Sequence, residues 1–130
     1  MSKRFSLKDQ RGQSMTEFAL VLPILAFLLF AVIQFGIVFN NYITLTDATR
    51  AGARKAAVSR RDPDPRGTCI TAIRNSARNL TQSNLNPDCV STWQPGEDVR
   101  VTATYPYSIS LLGIFRKSGN LTSTTTERVE

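Results

Sequence analysis

The sequence contains no histidine and only two cysteines among its 130 residues. Histidine is the commonest metal ligand and the commonest general base at neutral pH, so its absence argues against both kinds of site. The cysteines are not in a CxxC spacing, so a zinc site is not expected either. Asp62 and Asp64 are two residues apart in a proline-rich stretch, where aspartates usually form turns. We therefore expect neither a metal nor a cofactor, and we expect that the protein is not an enzyme.

The apolar run from Phe18 to Phe39 contains no charged residue, and Gln34 is its one interior amide. As a helix this run would be about 33 Å long, enough to cross a bilayer core of about 30 Å. A cleavable secretory signal is the rival interpretation, but its apolar core is only about 7 to 15 residues long. The sequence therefore predicts that residues 18–39 form a membrane span.

The net charge of +6 comes from basic residues on both sides of the apolar run. Basic side chains in these positions can reach lipid phosphates at a membrane surface. Phe5 is the one aromatic residue interleaved with them, which is too few to stack on successive bases, so a nucleic-acid partner is not expected. The basic residues nearest to the run are Lys3, Arg4, Lys8 and Arg11 before it, and Arg50, Arg54, Lys55, Arg60 and Arg61 after it.

The orientation in the membrane cannot be read from these charges, because the positive-inside rule finds basic residues at both ends. The two cysteines, Cys69 and Cys89, lie 20 positions apart in the polar part of the chain. A disulfide between them would stabilise the fold by about 3 kcal/mol and requires an oxidising compartment. Two independent buried thiols are the alternative. If the disulfide forms, the larger segment that carries it lies outside the cytoplasm, and the short leader stays inside the cytoplasm.

The helix is predicted to continue beyond the membrane, because residues 40–59 contain neither proline nor a turn cluster. A helix from Gln13 to about Ala57 would be about 68 Å long. Its second half is loosely amphipathic, with Ile43, Leu45, Ala48, Gly52 and Ala56 near one side. Pro23 lies inside the apolar half, where it predicts a helix kink that membrane helices tolerate.

The rest of the chain predicts a linker and a small domain, giving an α+β fold overall. Residues 59–67 form the linker, since alternating prolines and aspartates favour turns. Residues 68–130 should contain one short helix and about three antiparallel strands. The helix runs from Cys69 to about Leu80 with Thr68 as its cap, the strands are Cys89–Trp93, Asp98–Tyr107 and Leu121–Val129, and residues 94–97 form a turn. The apolar passage 109–115 is either a loop packed on the core or a surface against lipid or a partner.

Glu17 stands at the start of the apolar run, where a carboxylate entering hydrocarbon needs a partner. An acid that favours the helix dipole while still in water is the simpler explanation. However, the basic leader ends in Gly12, four uncharged residues follow, and Glu17-Phe18 then opens the helix. This arrangement resembles the processing site of type IV prepilins, in which a membrane peptidase cuts after the glycine. The resemblance implies a leader of residues 1–12, a new amine on Gln13, and a Glu17 that neutralises the amine of a neighbouring subunit.

The longer run from Arg11 to Pro23 resembles the TadE-like proteins of tight-adherence (Flp, type IVc) pilus systems, and so does the segment from Thr46 to Arg54. This resemblance implies a minor pilin or pseudopilin that acts in the assembly or initiation of an adhesion pilus. The implied partners are a prepilin peptidase, other pilin-like subunits, the assembly machinery and the lipid bilayer. The implied place is the bacterial cytoplasmic (inner) membrane, crossed once with the amino terminus inside and residues 68–130 outside, or the pilus itself.

An uncleaved membrane-anchored binding module is the alternative function. Its binding surface would use the aromatic residues of the small domain, although aromatic side chains in small domains are more often part of the core. The candidates are Trp93, Tyr105, Tyr107 and Phe115.

Overall fold

The computed structural model describes the backbone of residues 7–130 and the side chains of residues 12–130. The first six residues of the predicted leader therefore lie outside the described residues. The described chain forms helices α1 (Leu7–Ala57) and α2 (Pro65–Ser76), followed by strands β1 (Asn86–Val90), β2 (Asp98–Leu111) and β3 (Phe115–Arg128). The strands form one antiparallel sheet in the order β1-β2-β3. The predicted α+β fold is confirmed.

Helix α1 contains 51 residues and is therefore about 77 Å long. It begins at Leu7, before the predicted start at Gln13, and it ends at Ala57 as expected. The helix is continuous through Pro23, and a kink at this residue stays a prediction. The two halves of α1 differ in their surroundings: the half containing the apolar run is largely exposed, and the second half packs against α2 and the sheet.

The core lies between the second half of α1, helix α2 and the inner face of the sheet. The predicted apolar side of α1 is confirmed except at Ile43, which is 45% exposed. Ile43 and Leu45 are two positions apart, so they point to nearly opposite sides of a helix with 3.6 residues per turn. The buried apolar side chains include Leu45, Ala48, Ala53 and Ala56 of α1, Ile73 of α2, and Val99, Val101 and Ala103 of β2.

Helix α2 begins earlier than expected, because Asp64 is its amino-terminal cap. The Gly67 amide donates a hydrogen bond of 2.9 Å to the Asp64 carboxylate, and Pro65 occupies the first helical position. Proline is well tolerated there, since the first amides of a helix have no partner within it. The predicted cap at Thr68 was wrong. The helix also ends at Ser76, before the expected Leu80.

Strand β1 is shifted towards the amino terminus relative to the predicted Cys89–Trp93. It includes Pro87, which is acceptable because β1 is an edge strand and pairs on one side only. The predicted turn at residues 94–97 is confirmed: the Glu97 amide donates to the Gln94 carbonyl over 3.1 Å. Gly96 has a φ of 84°, as the third position of a type II turn requires.

Strands β2 and β3 form a long hairpin of 14 residues on each side. Both strands are longer than predicted, and the apolar passage 109–115 forms the closed end of the hairpin. Strand β2 runs antiparallel to β3 and carries alternate side chains towards α1, including Val101, Ala103 and Tyr105. The closed end extends beside the apolar half of α1, where Leu111 and Phe115 line a groove with Ala31.

Candidate functional site

The predicted junction lies on the exposed part of α1, away from the folded core. Gly12, Gln13, Glu17 and Phe18 are all exposed, and Phe18 is 62% accessible. Apart from the adjacent residues and the backbone of its own helix, no atom of residues 12–130 lies within 4 Å of a Cβ atom built on Gly12. Among the described residues, therefore, nothing from the small domain covers this turn of the helix.

Two hydrogen bonds link the residues of the junction across one helical turn. The Gln13 side-chain amide donates to the Glu17 carboxylate over 3.0 Å. The Thr16 hydroxyl donates to the Gly12 carbonyl over 2.9 Å. A carboxylate can accept up to about four hydrogen bonds, so Glu17 keeps the capacity to bind a further donor such as an ammonium group.

The helix dipole does not explain Glu17 in this structure. Helix α1 begins at Leu7, which places Glu17 about three turns inside the helix. The favourable effect of the dipole on an acid is confined to the first turn. Glu17 is thus an acid in the interior of a helix, next to the first residues of the apolar run.

The apolar run forms a largely exposed hydrophobic surface on the first half of α1, partly covered on the side that faces the β2–β3 hairpin. Phe18, Ile24 and Phe35 are 62%, 70% and 69% exposed. Such a large apolar surface marks a membrane or an interaction site. Within the described residues, one helix is long and apolar enough to cross a membrane, and none of its most apolar window is buried by the rest of the chain. This indicates a single-pass membrane protein.

The predicted disulfide is confirmed. Cys69 of α2 and Cys89 of β1 are joined with an Sγ–Sγ distance of 2.05 Å, and the two side chains are 0% and 2% exposed. Next to this covalent link, Arg66 and Asp88 form an ion pair of 2.8 Å between the same two elements. The disulfide attaches the edge strand to the helix and has no contact with the junction.

The polar side chains of the linker have structural roles. Asp64 caps α2, and Asp62 accepts a hydrogen bond of 3.1 Å from the Thr68 hydroxyl. In the part of the chain with described side chains, no group of three or more histidine, cysteine, aspartate or glutamate residues could hold a metal ion.

Three of the four aromatic candidates for a binding surface serve the packing of the domain. Trp93 and Tyr105 pack against the core, and the Tyr105 hydroxyl accepts a hydrogen bond of 3.3 Å from the Thr81 amide. The ring of Tyr107 covers Gly119 on the neighbouring strand: a Cβ atom on this glycine would lie 3.0 Å from the ring. Only Phe115, at 54% exposure, is open to a partner among these four.

One side of the segment from Thr46 to Arg54 packs in the core, and the sequence did not reveal that this side includes Thr49. Thr49 is fully buried, and its hydroxyl lies 3.1 Å from that of Ser123 and 3.2 Å from that of Thr125. These contacts join α1 to β3. An alanine-rich segment with single polar residues was the only available signal, and it did not identify the strand that Thr49 would meet.

A family model described as TadE-like protein matches residues 12–54 of the chain. The match begins at the exposed Gly12 and ends within the buried second half of α1, so it covers the junction, the apolar run and the part of the helix that carries Thr49 and Gly52. Neither the curated proteins nor the solved structures include a match to this chain. Residues 12–54 of the chain are therefore similar to the TadE-like family, and this similarity suggests a pilus-associated protein.

Proposed function

We propose that the protein is a minor pilin or pseudopilin of a tight-adherence pilus, cleaved by a prepilin peptidase between Gly12 and Gln13. The observation that carries this proposal is the exposed junction at the start of the TadE-like match. An enzyme embedded in the membrane needs free access to its substrate, and among residues 12–130 no side chain other than those adjacent in the chain lies within 4 Å of the position that a Cβ on Gly12 would take.

Cleavage would change the surroundings of Glu17. Removing residues 1–12 leaves Gln13 with a cationic amine at the new start of the helix, one turn from Glu17. In an apolar bundle of helices, a buried charge is stabilised only if it is paired. The Glu17 carboxylate of a neighbouring subunit would supply that pair, and the exposed apolar side chains beyond Phe18 would pack the helices together.

In this proposal the protein acts as a subunit in pilus assembly and has no catalytic activity of its own. Its apolar helix would first hold the precursor in the cytoplasmic membrane, with the leader inside and the disulfide-bonded domain outside. The Cys69–Cys89 bond requires an oxidising compartment, and this orientation places the bond outside the cytoplasm. The subunit would then meet other pilin-like subunits and help to initiate or assemble the pilus.

Mass spectrometry of the protein from cells with and without the peptidase tests this proposal. We expect a chain that starts at Gln13 only when the peptidase is active. Gly12→Val should prevent cleavage, because it changes the residue after which the peptidase cuts. Gly36→Val should be processed normally, and it is a matched control because both glycines are helical and have open space around them. An intact Met1 in the presence of the active peptidase, or a cut near Ala53, would overturn the proposal and favour an uncleaved membrane-anchored binding module.

A further inference from the structure

The closed end of the β2–β3 hairpin carries a cluster of exposed apolar side chains. We call residues 111–115 the hairpin tip. Leu112, Ile114 and Phe115 are 55%, 84% and 54% exposed. The folded domain does not cover them, and a group of neighbouring large apolar side chains on a surface marks a site of interaction.

The hairpin tip lies beside the interior of the candidate membrane span. A groove of about 410 Å³ separates the two elements and is lined by Ala31 and Phe35 of α1, by Leu111 and Phe115 of the tip, and by Tyr107, Ile109 and Lys117 on the side of the folded domain. Phe35 and Ala31 precede Phe39, the last residue of the apolar run, by one and two helical turns. They are therefore about 6 Å and 12 Å inside the run along the helix axis. A bilayer that surrounds the run would also surround the tip.

The residues that follow the tip have the chemistry of a membrane interface. Arg116 and Lys117 come directly after it and are exposed. With a rise of about 3.3 Å per strand residue, they stand closer to the folded domain than the tip does, within reach of lipid phosphates. Four residues before Leu111 and nearer to the folded domain, Tyr107 lines a groove with Asn41 of α1. Tyrosines are enriched where apolar and aqueous regions meet.

The backbone of the tip is suited to an apolar environment. The Ile114 amide donates to the Leu111 carbonyl over 3.0 Å, and Leu111 pairs with Phe115 to close the ladder. Leu112 and Gly113 have φ angles of 50° and 76°, as in a type I′ turn. The ladder and this turn bond pair the backbone on both sides of the turn, which lowers the cost of placing it in hydrocarbon.

Leucine is an unfavourable residue at position 112 of the chain. The first central position of a type I′ turn is usually asparagine, aspartate or glycine, because a positive φ is strained for a larger side chain. Leu112 keeps an exposed apolar side chain at the cost of this strain. Backbone strain that persists at an exposed position is a reason to look for a function of the side chain.

We propose that the hairpin tip is inserted among the acyl chains of the leaflet next to the folded domain, with Arg116 and Lys117 on the lipid phosphates. The domain is then attached to the membrane at two points, the α1 span and the tip, and its orientation relative to the bilayer is fixed. The proposal depends on the membrane span and is independent of cleavage after Gly12, so the full chain serves for its test.

Tryptophan fluorescence in vesicles with brominated acyl chains tests the insertion, because bromine quenches only tryptophans within the hydrocarbon. The full chain carries Trp93→Phe and one new tryptophan, and it is reconstituted in phosphatidylcholine and phosphatidylglycerol. Ile114→Trp should lose fluorescence to the same extent as Phe27→Trp in the span. Thr126→Trp, exposed towards the far end of β3, should keep its fluorescence.

Unquenched Ile114→Trp beside quenched Phe27→Trp would overturn the proposal, and this is also the result expected if a second copy of the chain or another protein covers the tip. If neither is quenched, the membrane span fails and the proposal fails with it. Phe115→Trp provides a second position on the tip and should behave like Ile114→Trp. Resistance of the buried Cys69–Cys89 bond to mild reductant under native conditions verifies that each variant is folded.

Discussion

The backbone of Gly52 in α1 packs directly against the side chain of Ile73 in α2. A Cβ atom on Gly52 would overlap Cγ1 of Ile73 and lie 3.1 Å from its Cδ1, and Ile73 is fully buried. Overpacking at such a contact costs about 1–3 kcal/mol, more than the roughly 1 kcal/mol that alanine gains over glycine in a helix. Gly52→Ala should therefore lower the free energy of unfolding.

Chemical denaturation of the chain in detergent micelles, followed by the fluorescence of Trp93, would measure this effect. Gly36→Ala is the control, because the space around Gly36 is open and this residue lies in the apolar run. It should leave the unfolding of the domain unchanged. Ile73→Val should recover part of the loss in the Gly52→Ala background. Equal stability of Gly52→Ala and the wild type would show that the two helices can separate without cost.

The buried hydroxyl of Thr49 is a second link between α1 and the rest of the domain. It donates to the Thr46 carbonyl over 2.8 Å. Since a hydroxyl has one proton to donate, its oxygen accepts from the hydroxyls of Ser123 and Thr125. Thr49→Val keeps the shape of the side chain but removes this acceptor. We expect the free energy of unfolding to fall by about 1–3 kcal/mol, the cost of leaving a buried polar group without its partner.

The exposed pair of Thr102 and Thr124 offers the matched control for Thr49→Val. Their hydroxyls are 3.2 Å apart on the outer face of the same sheet, so water can replace either one. Thr102→Val should change the stability by less than about 0.5 kcal/mol. The double variant Thr49→Val with Ser123→Ala should lose less unfolding free energy than the sum of the losses of the two single variants. Strict additivity would show that Thr49 and Ser123 are not coupled.

The disulfide should contribute strongly to the stability of the small domain. Cys69 and Cys89 are 20 positions apart, and a loop of this size corresponds to about 3 kcal/mol in the chain-entropy model. Replacing both cysteines by alanine should lower the unfolding free energy by about this amount in the same denaturation experiment. The reduced wild type should then behave like the double variant. Two thiols that can be alkylated in the native protein without reduction would contradict the disulfide itself.

The parts of the fold that were predictable are those with a local signal in the sequence. The uncharged run from Phe18 to Phe39 and the absence of proline in residues 40–59 predicted both the exposed apolar helix and its end near Ala57. The spacing of Gln94, Pro95, Gly96 and Glu97 likewise predicted a turn that the structure contains. Each of these features depends on neighbouring residues only, so no tertiary contact was needed.

The errors arose where tertiary pairing decides the structure. Pro65 was assigned to the linker and the first strand was expected to begin at Cys89, but Pro65 starts α2 behind the Asp64 cap and the edge strand β1 already includes Pro87. The length of the hairpin was missed because β3 contains Gly119, a weak strand former that Tyr107 covers from the opposite strand. The position of the hairpin tip beside Ala31 and Phe35 depends on this length, so the sequence could leave only alternatives for residues 109–115.

Glu17 provides the sharpest test of assembly, because its proposed partner exists only between subunits. Glu17→Gln preserves the size of the side chain and removes its charge, so a neighbour's amine would be left buried and unpaired, at a cost of about 3–5 kcal/mol. We expect co-purification with other pilin-like subunits to be lost, while the unfolding of the external domain stays that of the wild type.

Asp47→Asn is the matched control on the same helix: Asp47 is 67% exposed, and its 3.8 Å ion pair with Arg50 is worth only about 0–1 kcal/mol. It should assemble normally. Unchanged piliation with Glu17→Gln would contradict a pairing role for this carboxylate, whether or not the chain is cleaved after Gly12.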